Sequence, residues 1–244
     1  MSLTHAFGHE LGSSPTSLAT PIVFVVDDDL AVRKSLESLI RCEGWKPETF
    51  ASPQEFLNRP RTHIRSCLVL DVSAASFHGL ELQKRIAVER TDMPIICITT
   101  QRDVPTTVQA MKAGALEFLT KPLDDDELLN GIREALERSR VTLAHEAEMQ
   151  VLRGCYASLT RREREVMALV AVGLLNKQVG GELGISEITV KAHRGQVMLK
   201  MKADSLADLV RMAARLGLAH PRPRAKTASP IFFNLPPLRS HYSD

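Results

Sequence analysis

Five residues of this chain have the types and order that phosphoryl chemistry needs: Asp27, Asp28, Asp71, Thr99 and Lys121. They follow short apolar runs. Ile22-Val23-Phe24-Val25-Val26 leads into Asp27-Asp28, and Cys67-Leu68-Val69-Leu70 into Asp71. Ile95-Ile96-Cys97-Ile98 leads into Thr99, and Leu116-Glu117-Phe118-Leu119 into Thr120-Lys121-Pro122. In an open parallel sheet, ligands bind beyond the carboxyl ends of the strands. Three carboxylates, a hydroxyl and an ammonium would then converge on one crevice. Carboxylate oxygens suit a hard divalent cation, and one carboxylate can attack phosphorus. The expected chemistry is control through an aspartate. If these acidic residues did no chemistry, they would merely cap the helices that follow the strands. For Asp29 that capping role is the expected one.

The surrounding pattern supplies the strands. Apolar runs alternate with helical spacing: strand 21–26 before a helix near 29–43, a short strand at 46–50, then Ser52-Pro53 as cap and first residue of another helix. Strand 66–70 precedes a helix near 79–90, strand 94–98 a helix near 104–113 stopped by Gly114, and strand 116–119 a last helix from Asp124-Asp125-Asp126. That last helix is expected to reach about residue 150 as a linker, with Leu136, Val141 and Leu143 facing partners. Five strand–helix units predict a doubly wound, five-stranded parallel α/β sheet with helices on both faces.

The net charge of +2 hides two opposed halves. Residues 1–150 hold 16 Lys and Arg against 22 Asp and Glu, a net of −6; residues 151–244 hold 15 against 7, a net of +8. A basic half points to a polyanion partner such as nucleic acid. The four cysteines, Cys42, Cys67, Cys97 and Cys155, form no CxxC pair, which argues against zinc and suits a reducing cytoplasm. No apolar run approaches the 18 or so residues that span a bilayer, and no signal peptide is evident.

From residue 155 the pattern is all helical. Thr160 with Glu163 forms a capping box, a short helix near 177–183 stops at Gly184, Ser186 caps a helix from Glu187 to about Met201, and residues 205–217 form a last helix. Residues 1–19 and 220–244 lack periodicity and read as a disordered leader and tail.

With these motifs in view, the chain resembles a bacterial two-component response regulator of the NarL/FixJ family. The ordered acidic, Thr and Lys-Pro set resembles a receiver domain, flavodoxin-like in fold. The strings Leu159-Thr160-x-Arg162-Glu163-x-Glu165-Val166, Asn176-Lys177 and Ile185-Ser186-x-x-Thr189-Val190-Lys191-x-His193 resemble a LuxR-type helix-turn-helix. The expected division is a receiver at 20–138, a helical linker at 139–154 and a DNA-binding domain at 155–219.

The resemblance implies roles. Asp71 is the phosphoacceptor; Asp28, Asp71 and the Ser73 carbonyl ligate Mg²⁺, and Asp27 orients it through water. Lys121 and Thr99 hold phosphoryl oxygens, and Phe118 is the switch aromatic. In the helix-turn-helix, Glu187, Val190, Lys191 and Arg194 lie near bases, while Asn176, Lys177, Thr189, His193 and Lys200 serve phosphates. Val197, Leu199 and the last helix are candidate dimer contacts, with core packing the expected role of Val197. A sensor histidine kinase, double-stranded DNA and RNA polymerase are the implied partners, with a homodimer on activation and transcriptional activation as output. No separate enzymatic activity is expected: Ser73 stands where an aspartate-based phosphatase would place its acid/base Asp.

The chain departs from the family at several points. The loop Asp71-Val72-Ser73-Ala74-Ala75 lacks the usual Met-Pro, and Thr100 stands where Ala or Gly is usual, narrowing access to Asp71. This motivates an alternative reading, a phosphorylation-independent DNA binder whose receiver is a dimerisation or ligand-sensing scaffold. Gly180-Gly181 and Gly195 each cost a helix about 1 kcal/mol relative to Ala, which predicts a marginally stable second half.

Overall fold

The computed structural model describes residues 19–73, 83–86, 89–100 and 104–218. The leader, apart from its last residue, and the tail lie outside them, as do residues 74–82 and parts of the helix expected at 79–90. The chain divides into two compact units, Met1–Glu148 and Met149–Asp244.

In the first unit, strands β1 (Ile22–Val26), β2 (Lys46–Phe50), β3 (Ser66–Asp71), β4 (Ile95–Thr99) and β5 (Glu117–Thr120) form one parallel sheet in the order β2-β1-β3-β4-β5. That is the flavodoxin-like doubly wound order, as expected. Strands with both faces covered read as unbroken apolar runs, and the period of two then assigns each residue to a face. Ile22, Phe24, Val26, Leu68, Leu70, Ile95 and Cys97 pack on one side. Val23, Val25, Cys67, Val69, Ile96 and Ile98 pack on the other. Strand β2, Lys-Pro-Glu-Thr-Phe, is polar and carries a proline, which the sheet tolerates because β2 is an edge.

Helix α1 (Leu30–Cys42) is capped by Asp29, whose carboxylate accepts from the Ala31 and Val32 N–H groups. It buries Leu36 and Ile40 against the sheet, while Leu30 is exposed. Helix α2 (Pro53–Leu57) starts at the expected Ser52 cap and anchors Phe56 edge-on to Phe24 and Phe50. Residues 83–86 are helical. Helix α3 (Val104–Lys112) precedes Gly114, whose φ of +91° turns the chain into β5. Helix α4 (Asp125–Ala157) is longer than expected. Leu136, expected to face partners, is instead buried with Leu128, Leu129 and Ile132 among the described core residues, because those positions recur at helical spacing on the face against the sheet.

The second unit has helices α5 (Arg161–Ala171), α6 (Asn176–Leu183), α7 (Glu187–Met201) and α8 (Leu206–Arg215). Their cores meet through Val166, Met167, Val179, Val190, Val197 and Leu209, all essentially unexposed. Burying such side chains stabilises by about 1.5–3 kcal/mol each. Local signals set the ends. The Thr160–Glu163 capping box is formed, Gly184 adopts φ +65°, and Ser186 and Ser205 each accept from the N–H three residues on.

Candidate functional site

Register brings the reactive residues to one end of the sheet. Val26 is level with Leu70, Asp71 with Ile98, and Thr99 with Thr120. The residues just beyond, Asp27 and Lys121, therefore flank Asp71. Ligand oxygens of Asp27, Asp28 and Asp71 lie within 4.8 Å of one another. Asp27 and Asp71 are buried and Asp28 is exposed. The Lys121 ammonium bridges the two buried carboxylates, at 2.7 Å from Asp27 Oδ2 and 2.8 Å from Asp71 Oδ2. Three carboxylates against one ammonium leave two negative charges uncompensated, the charge of one divalent cation.

The electrostatics follow from burial. Desolvation pushes the Asp27 carboxyl above its usual value, against the hydrogen bonds from Lys121 and the Asp29 N–H. For Lys121, desolvation works downward but is outweighed by the bonds to Asp27 and Asp71, so the ammonium is held more firmly than usual. Its contribution is complete below the ordinary lysine value and is lost only as pH rises past it. On its other oxygen, Asp71 Oδ1 accepts from the Ser73 N–H at 2.7 Å and Ser73 Oγ at 2.5 Å. Thr99 is fully buried, and Phe118 packs partly buried against the sheet core. Arg33, one turn into α1, donates to the Asp27 carbonyl at 2.6 Å. Burial raises the thiols of Cys67 and Cys97, the latter to about 12, consistent with inert core cysteines.

In the second unit, α6 and α7 make a helix–turn–helix pair around Gly184. The exposed side of α7 presents Glu187, Ile188, Thr189, Lys191, Ala192 and Gly195. Lys191 pairs with Glu187 at 3.3 Å, and the Arg194 guanidinium donates to Asn176 Oδ1 at 3.2 Å, linking α7 to the start of α6.

Comparison with known proteins bears on both units. Residues 23–133 match the response regulator receiver domain model, and residues 157–213 match the model for bacterial regulatory proteins of the luxR family. The chain is 47% identical over 198 residues to nodulation protein W of Bradyrhizobium diazoefficiens, covering 81% of this chain and 87% of that protein. The chain belongs to the response-regulator family. It is 39% identical to the transcriptional regulatory protein FixJ of the same organism, covering 80% of this chain and 96% of that one. The solved structure of the response regulator StyR superposes with a TM-score of 0.70 at 44% identity, covering 81% of this chain and 100% of that one. This response regulator thus joins a receiver domain to a LuxR-type DNA-binding domain, an organisation for transcription regulation. No described helix is long and apolar enough to cross a membrane.

The receiver brings Asp27, Asp28, Asp71, Ser73 and Lys121 together as expected from sequence, with Thr99 one residue past Ile98, the residue level with Asp71. Lys121 is engaged with carboxylates. Asp71 is also held by the Ser73 hydroxyl, which sequence reasoning passed over in favour of the Ser73 carbonyl. Two expectations for the LuxR-type domain, those for Val190 and Lys200, need correction. Val190 is unexposed, so it packs in the core and does not face a base. Val197 is equally buried, as its expected core packing requires. The reason is periodicity: Val190, Val197 and Met201 lie on one helical stripe, and α7 packs against α5 and α6, which turns Ile188, 80% exposed, outward instead. Lys200 is held by both Glu163 oxygens at 2.9 and 2.7 Å, which places it in a structural ion pair and away from a free phosphate-binding role. Lys177, Thr189 and His193 remain at least partly exposed.

Proposed function

We propose that a sensor histidine kinase phosphorylates Asp71, and that the phosphorylated receiver dimerises and favours sequence-specific binding of its helix-turn-helix to DNA. The observation that carries this is the buried Asp27–Lys121–Asp71 bridge with Asp28 within ligand reach. Mg²⁺ would be held by Asp28, Asp71 and the Ser73 carbonyl, with Asp27 orienting through water. Its chemistry there is to neutralise charge on the incoming phosphoryl group. Asp71 supplies the nucleophilic oxygen. Lys121 is already placed to exchange a carboxylate for a phosphoryl oxygen, Thr99 stands at the end of β4 to meet another, and Phe118 follows Thr99 inward.

The receiver is assigned to 20–138, the linker to 139–154 and the DNA-binding domain to 155–219. Within that domain, Glu187, Lys191 and Arg194 are assigned to base edges and Asn176, Lys177, Thr189 and His193 to phosphates; Ile188 joins the base-facing set by exposure. RNA polymerase recruitment in the cytoplasm is the output. Sedimentation of the full chain with Mg²⁺, then with Mg²⁺ and beryllofluoride, tests the reading. A shift from monomer toward dimer in the wild type and none in Asp71→Asn is expected. A dimer under every condition, or no shift, would support the phosphorylation-independent reading.

A further inference from the structure

The hydroxyls of Ser73 and Thr100 form a chain that ends on Asp71. Ser73 Oγ donates to Asp71 Oδ1 at 2.5 Å. From the residue after β4, the Thr100 N–H and Thr100 Oγ1 both donate to Ser73 Oγ, at 3.2 and 3.3 Å. A serine hydroxyl offers one proton and two lone pairs. Here the proton is aimed at the nucleophile and Thr100 addresses both lone pairs, so the hydroxyl is fixed in one orientation. Asp71 Oδ2 meanwhile holds Lys121. Both oxygens of the carboxylate are thus engaged before any phosphodonor arrives.

We propose that Ser73 and Thr100 form a latch that restrains Asp71 as a hydrogen-bond acceptor and slows its phosphorylation. The proposal rests on Asp71 being the phosphoacceptor. In transfer from acetyl phosphate, an Asp71 oxygen forms a bond to phosphorus while the bridging P–O bond breaks, and the electron pair leaves with acetate. Whichever oxygen attacks, the carboxylate gives a lone pair to that bond, and a donor held on the delocalised group by a third residue withdraws density and opposes the step. Thr100 directly follows Thr99. Any movement of Thr99 toward the phosphoryl group therefore pulls on the Thr100–Ser73 contacts, and opening the latch is coupled to the switch. Ser73 and Thr100 are positioning residues in this scheme.

The test is the initial rate at which the full-length chain gains one phosphoryl group by intact-mass spectrometry, with acetyl phosphate and Mg²⁺. Ser73→Ala should react about tenfold faster, the factor equivalent to 1.4 kcal/mol. Thr100→Val, which keeps the backbone N–H, should react about threefold faster. The double variant should match Ser73→Ala, because both changes remove the same restraint. Thr100→Ser restores the hydroxyl and should return the wild-type rate, which a mere packing effect of Thr100 would not do. Thermal unfolding of each variant with Mg²⁺ separates faster chemistry from loss of fold. Unchanged or slower rates in folded Ser73→Ala and Thr100→Val, while the wild type reacts and Asp71→Asn does not, would overturn the latch alone. A wild type that gains no phosphoryl group would overturn the phosphoacceptor reading and the latch with it.

Discussion

Lys121 is the residue on which the crevice depends electrostatically. Its ammonium is mostly shielded from solvent and touches two buried carboxylates. Removing one partner of a buried pair leaves the other charges uncompensated. Lys121→Met should therefore lower unfolding stability by about 2–4 kcal/mol, and millimolar Mg²⁺ should recover more stability in this variant than in the wild type. Chemical denaturation with and without Mg²⁺ reads this; equal responses of the two proteins would contradict the charge argument. Val190 and Lys191 are neighbours with opposite duties. Val190→Ala opens a cavity in the second unit and should cost about 2 kcal/mol of stability. Lys191→Ala, on the exposed side, should leave stability nearly unchanged and relax DNA sequence preference, as competition binding with altered sites would show.

At the scale of elements, the two glycines of α6 have different reasons to be there. A Cβ on Gly180 would lie 2.8 Å from the Ile185 carbonyl oxygen, while nothing lies within 4 Å of one on Gly181 or Gly195. The close approach serves the turn between α6 and α7, where the Ile185 N–H donates to the Gly180 carbonyl at 3.0 Å. Gly181→Ala should stabilise the second unit by about 1 kcal/mol, whereas Gly180→Ala should destabilise it by about 1–3 kcal/mol. Thermal unfolding of the full chain distinguishes them. Glu163 closes the α5 cap and ties α5 to α7. The hydrogen bonds from Lys200, then the one from the Thr160 N–H, hold its carboxyl below the ordinary 4.5. A depressed carboxyl stabilises fully above its unfolded value and loses that contribution as pH falls through its folded value. The second unit should thus weaken below about pH 4.5, and Glu163→Gln should flatten that part of the stability–pH curve.

At the scale of the whole molecule, the opposed charges of the two halves make a prediction about ions. Six cations on two DNA-bound modules, Lys177, Lys191 and Arg194 of each, would release counterions, so affinity should fall by about a thousandfold between 50 and 200 mM salt. Lys177→Ala should weaken binding to all sequences alike and reduce the log–log salt slope by about one per module. Fluorescence anisotropy across a salt series measures both; a slope unchanged by Lys177→Ala would remove that residue from the phosphate contacts.

The sheet and its reactive end were legible because unbroken apolar runs ending in Asp, Asp, Thr and Lys leave little freedom: strands buried on both faces must be apolar, and parallel register aligns their ends. The caps at Asp29, Ser52, Thr160 and Ser186 were legible too, since each is a local hydrogen bond between residues two or three apart. What sequence left open involves contacts between distant residues. Val190 and Val197 share a stripe with Met201, yet only the packing of α7 on α5 and α6 shows that this stripe faces inward. Leu136 is buried because α4 lies on the sheet. Lys200 meets Glu163 across 37 positions, and Thr100 meets Ser73 across 27. The sequence by itself determined which groups the strand ends would carry. Only the tertiary structure decided which of those groups hold one another, because hydrogen bonds and ion pairs depend on separations of a few ångströms that chain distance does not encode.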